Sequence, residues 1–170
     1  MKSNFTKGLW ETILVTYVSA SMFLYGIMKY AQFEFRPYSD KLVGELTDMQ
    51  LMWAFYGRTL TFPIIIGAFE ILGAGLLFFR KTRLIGCFLL TTILINIIIQ
   101  DVIYGVLGGA ILSAVIYQLI IFYIVYKHRQ RVYDALKLVI LPSQHSFLWW
   151  MVQAVIGLFI AIAIKMTTGI

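Results

Sequence analysis

The chain has 170 residues, of which 61% are hydrophobic and only 13% charged, with a mean hydropathy of +0.86. A soluble domain of this length covers its exterior with charged groups, so this balance excludes one and makes lipid the solvent for most of the surface. The formal charge of +6 does not point to nucleic acid, because the basic residues are scattered around apolar segments, where they act as topology signals and contacts to anionic lipid.

The first apolar run extends from about Leu9 to Tyr30, preceded by Lys2 and Lys7. Val18-Ser19-Ala20 resembles a signal-peptide cleavage site. However, the run continues past it and Glu11 interrupts what would be the signal's apolar centre, so an uncleaved first helix is expected. The second run covers about Phe62 to Phe79 and stops at Arg80-Lys81-Thr82-Arg83. A third covers about Leu84 to Tyr104, after which Gly105, Gly108 and Gly109 mark a tight turn. The fourth, about Val106 to Tyr126, ends at Lys127-His128-Arg129-Gln130-Arg131. The last spans about Phe147 to Ile164, its entry marked by Pro142, Trp149 and Trp150. The expected fold is an all-α integral membrane protein: a four-helix transmembrane core over 1–127, an amphipathic surface helix over 128–141 and an additional C-terminal transmembrane helix over 142–170.

Two connections carry structure of their own. Within 31–61, Thr47 and Gln50 have capping-box spacing and Leu51 to Tyr56 stops at Gly57, which predicts a short helix lying on the membrane or capping the bundle. Within 128–141, Val132, Leu136 and Val139 share one helical face, while Arg131, Asp134 and Lys137 lie mostly elsewhere. With the N-terminus cytoplasmic, nine basic residues fall inside (Lys2, Lys7, Arg80, Lys81, Arg83, Lys127, Arg129, Arg131 and Lys137). Five fall outside: Lys29, Arg36, Lys41, Arg58 and Lys165. That excess favours a cytoplasmic N-terminus.

Polar groups inside apolar runs need a reason, since a charge at mid-membrane costs roughly 2.5–3.5 kcal/mol. Glu70 lies near the middle of the second run, with Gly67, Gly73 and Ala74 on its face, so it points at protein rather than lipid. Ser21, Tyr25, Lys29 and Gln32 form a stripe on the first helix; Thr92, Asn96, Gln100 and Tyr104 form another on the third, with Asp101 beside it. Tyr117 and Gln118 sit mid-run in the fourth. In an alternating topology the first two stripes and Glu70 share the outer half of the membrane. Turned inward, they line a pocket, with Lys29 the natural partner of Glu70 and Arg58 of Asp101. Two readings stand: polar glue between helices, or a site that binds a ligand or handles protons, which the clustering in one half favours. His128, His145 and the buried Cys87 supply no credible metal or haem site, and a single cysteine excludes an internal disulfide. No hydrolase elbow, phosphate loop or dinucleotide fingerprint is present.

Several of these motifs resemble the DoxX-like family of small bacterial membrane proteins. They are Tyr25-Gly26 with Lys29 and Gln32-Phe33; Leu51, Trp53-Ala54-Phe55, Gly67, Glu70, Gly73 and Leu76-Leu77; and Arg80 to Arg83, Gly86, Asn96 and Asp101-Val102. The resemblance covers about residues 9–127, and the C-terminal span departs from that family's four-helix core. It implies the bacterial cytoplasmic membrane and a link to membrane redox complexes, including a thiosulfate:quinone oxidoreductase subunit. It also implies a quinone as candidate ligand, with no redox centre intrinsic to the chain. Partner subunits are expected to dock through the C-terminal helix or residues 31–61. The alternatives are a structural or assembly subunit and a small transporter or lipid-handling protein; no internal repeat or pair of Gly/Pro-broken helices favours transport.

Overall fold

A computed structural model describes residues 2–35, 38, 40–106, 108–140 and 147–168, with the side chains of 2–7, 147 and 168 outside that description. Arg36, Pro142 and His145, and the side chains of Lys2 and Lys7, therefore lie outside the described residues. Those described form seven α-helices and one short 3-10 turn, with no strand. The helices are α1 (Lys2–Phe33), α2 (Asp48–Gly57), α3 (Thr61–Phe78), α4 (Arg83–Ile103), α5 (Gly108–Lys127), α6 (Arg129–Val139) and α7 (Phe147–Thr168). Among the described residues, five segments are long and apolar enough to cross a membrane: Gly8–Phe33, Thr61–Phe78, Arg83–Ile103, Gly108–Lys127 and Leu148–Thr167.

The chain divides into a unit Met1–Val132 and a unit Tyr133–Ile170. In the first, α1 packs on α3, α3 on α4 and α4 on α5, and α5 returns to α1, closing a four-helix bundle. Val15, Val18 and Met22 meet Ala74 and Leu77, Cys87, Leu90 and Leu94, and Ala114, Tyr117, Ile121 and Ile124 in its core. Val18 and Ser19, in the stretch that resembles a cleavage site, are both buried there. The outward faces are equally apolar: Phe23, Leu24, Phe69, Leu72, Phe88, Ile99, Leu119 and Phe122 are all exposed. Helices apolar on every side, around a packed interior, are what a lipid solvent selects. The second unit holds the apolar helix α7 and most of α6, where Leu136 and Val139 continue the spacing begun at Val132.

Local chemistry sets the ends of these helices. Thr47 caps α2 with a complete capping box: its Oγ1 accepts from the Gln50 amide, and Gln50 Oε1 accepts from the Thr47 amide at 3.1 Å. Past α4, Gly105 takes φ +62° and the Val106 amide donates to the Asp101 carbonyl at 2.9 Å, the turn that a left-handed residue permits. The α3–α4 turn is tied by Thr82 Oγ1, which donates to the Leu76 carbonyl at 2.9 Å. Arg83 reaches back to the carbonyls of Leu77 and Phe78, groups a helix end leaves without internal partners.

Candidate functional site

The site begins with two glycines. A methyl built on Gly26 would lie 2.6 Å from the Gly67 carbonyl oxygen, and one on Gly67 would lie 2.5 Å from that of Gly26. Backbones this close require residues without side chains. One helical turn on, the Lys29 stem lies against Gly67, and its Nζ reaches 3.5 Å from Glu70 Oε1. Glu70 is 1% exposed, and neither of its carboxylate oxygens accepts a hydrogen bond. An ammonium at 3.5 Å is at the limit of hydrogen-bond reach. The carboxylate is thus removed from water and paired with one ammonium at the edge of hydrogen-bond reach, with no closer donor among the described residues.

Glu70 and Lys29 open into a cavity of about 160 Å³ between α1, α4 and α5, shared with Tyr25, Gln32, Asp101 and Tyr117. Met22, Leu94, Ile97 and Ala114 supply apolar walls, and Met52 and Trp53 of α2 close one side. An aromatic cluster holds α2 there. Phe33 at the end of α1 lies 5.3 Å from the Trp53 ring centroid and stacks on Tyr56 at 5.5 Å, and Tyr56 meets Phe62 at the start of α3. The short helix therefore caps the bundle, one of the two placements its sequence allowed.

Asn96 and Gln100 do not join this cavity. Tyr56 donates its hydroxyl to Gln100 Oε1, and Gln100 Nε2 donates to Asn96 Oδ1, a chain that ties α2 to α4. Burial holds the Tyr56 phenol above its ordinary pKa, so it remains a donor. Asn96 instead borders a second hollow of about 290 Å³, between α3 and α4, walled by Phe62, Ile66, Phe69 and Ile93 and touching Lys29. Arg58 is exposed and forms no ion pair with Asp101 among the described residues; it follows α2 on the capping segment. Tyr104 caps the end of α4, half-buried, its amide donating to the Gln100 carbonyl. Of the nine expected site residues, five line the cavity: Tyr25, Lys29, Gln32, Glu70 and Asp101. α2 adds Trp53 and α5 adds Tyr117, which the sequence places mid-run in the fourth apolar stretch without assigning it to the pocket.

No family model, curated protein or solved structure matches this chain.

At the other end of the bundle is a second ionic cluster, centred on Glu11. Arg83 Nη1 donates to Glu11 Oε1 at 2.6 Å, His128 Nε2 lies 2.9 Å from the same oxygen, and Lys127 Nζ lies 2.6 Å from Oε2. Glu11 and Arg83 are both buried. This knot joins α1, α4 and the end of α5. Sequence reasoning used Glu11 only against a signal peptide. The signal that finds it is an isolated acid in an apolar run, at the membrane level of two basic clusters. Among the described residues, no three His, Cys, Asp or Glu side chains come together to hold a metal ion.

Proposed function

We propose that this chain is a DoxX-like membrane protein whose cavity at Glu70 holds the polar headgroup of a small lipophilic ligand, a quinone or quinol fitting best. The observation that carries the reading is the Glu70 carboxylate, 1% exposed, with both oxygens free of hydrogen bonds and facing a cavity. A buried ion pair is weak evidence for stability: desolvation costs several kcal/mol per ion, and unmade hydrogen bonds to a buried group cost roughly 1–3 kcal/mol more. A ligand that donates to Glu70 and accepts from Lys29 supplies the missing hydrogen bonds and offsets part of the desolvation. A quinol hydroxyl and a quinone carbonyl are such groups, and Glu70 takes or returns the hydroxyl proton.

Size agrees with a headgroup. The cavity, about 160 Å³, is below the roughly 300–1,000 Å³ of sites that enclose a drug-sized molecule. The apolar hollow of about 290 Å³ between α3 and α4, which shares Lys29 and Ile97 with it, suits a hydrocarbon tail. Electrons belong to a partner protein; the chain contributes binding and proton exchange. With the N-terminus cytoplasmic, as nine basic residues against five favour, the cavity lies in the outer half of the membrane.

One observation favours an assembly role instead. Tyr56, Gln100 and Asn96 satisfy one another, as helix glue does. Mass spectrometry of the gently solubilised protein separates the two. A stoichiometric quinone retained by the wild type and lost in a folded Glu70→Gln variant supports the ligand site. An empty cavity in both, with a stable co-purifying protein, refutes it in favour of assembly.

A further inference from the structure

A larger hollow, of about 390 Å³, lies at the end of the bundle away from Glu70. Glu11, Arg80, Lys81, Arg83, His128 and Arg131 line it. These come from three stretches distant in sequence: the start of α1, the α3–α4 turn with the head of α4, and the segment after α5. Among the described residues, Glu11 is the carboxylate that lines it, and it is already engaged. Both Glu11 oxygens are taken, one by Arg83 and His128 and the other by Lys127. Arg83 is committed in turn to Glu11 and to the α3 carbonyls. Arg80, Lys81 and Arg131 are exposed and form no ion pair among the described residues.

We infer that this hollow binds a phosphate group, carried on an anionic lipid headgroup. Like charges gathered around a concavity repel one another, and a bound anion relieves that repulsion. Arginine is suited to the task, because its planar fork matches phosphate oxygens in a bidentate fashion. The position agrees as well. Four apolar helices end or begin here, so the hollow is at the level where lipid phosphates lie and where basic segments meet anionic headgroups. A topology signal requires positive charge on this side, but neither concavity nor convergence. Here the Glu11 knot fixes Arg83 and His128, and thereby builds a walled site between Arg80, Lys81 and Arg131.

Free phosphate shares this chemistry, and the test distinguishes the two sources. The full chain in neutral detergent is titrated with phosphatidylglycerol, with phosphatidylcholine and with inorganic phosphate, and bound species are counted by native mass spectrometry. Arg80→Gln/Arg131→Gln is compared with Lys41→Gln/Lys165→Gln, which removes the same charge elsewhere. Phosphatidylglycerol binding should exceed that of phosphatidylcholine and fall about tenfold or more in the first variant, while staying unchanged in the second. Equal losses in both would reduce the effect to diffuse charge and overturn the site. Retained binding in the first variant would do the same. Saturation by inorganic phosphate, with no preference for the lipid, would overturn the lipid source. Should the double variant fail to fold, Arg131→Gln alone, at an exposed position, must still weaken lipid binding or the inference fails.

Discussion

Lys29 is the cation within reach of Glu70, so its removal isolates a buried carboxylate. Lys29→Met should lower stability by about 3 kcal/mol, read as a fall in unfolding midpoint in detergent, because breaking a buried pair leaves an uncompensated charge. Lys29→Met/Glu70→Leu should recover most of that loss while binding no ligand. Additive losses in the double variant would mean that the two side chains are not coupled. This pair was legible in the sequence because each residue interrupts an apolar run at the same membrane depth. Asn96 and Gln100 were less so. An i, i+4 stripe identifies a shared face but not what that face meets, and these amides bond each other and, through Gln100, Tyr56 rather than joining the cavity. Arg58 escaped for another reason: the direction of a side chain past the end of a short helix depends on how that helix docks, and Arg58 ends exposed.

Backbone contact between α1 and α3 rests on glycines, and the two kinds of glycine in α3 should behave oppositely. Gly67→Ala places a methyl against the Gly26 carbonyl and should cost roughly 1–3 kcal/mol through overpacking, displacing Lys29 as well. Gly75→Ala meets nothing within 4 Å in the same helix and should be neutral or stabilising by up to about 1 kcal/mol. Paired thermal melts would show the contrast, and equal effects would contradict the close crossing. For α2, Thr47→Ala removes the capping box and should cost about 1 kcal/mol of helix stability, measured as faster amide exchange across Asp48–Gly57. The spans were readable because an apolar run of that length in lipid has few alternatives to a helix. The second run, expected at about Phe62 to Phe79, is observed as Thr61–Phe78. What covers the cavity was not readable, since docking of α2 depends on Phe33, Trp53 and Tyr56, aromatics equally at home against lipid.

The bundle as a whole carries one cysteine, Cys87, fully buried and so silent to a water-soluble thiol reagent. Cysteines introduced singly at Arg131 and Lys41 should then be labelled from opposite sides of intact membrane vesicles, with Arg131→Cys on the cytoplasmic side. The reverse pattern would invert the orientation drawn from basic-residue counts. The two ionic groups on α1 set a further property. Glu11 and Lys29 are separated by 18 positions (29 − 11), which at about 1.5 Å per residue is ~27 Å of helix. A typical hydrocarbon core is about 30 Å thick. The protein therefore carries its own ruler, with a charged mark at each end of a nearly dry interval. A thicker bilayer draws the marks deeper into hydrocarbon, and a thinner one forces α1 to tilt. Stability measured across lipids of increasing acyl length should peak where the hydrocarbon matches that interval and decline on both sides.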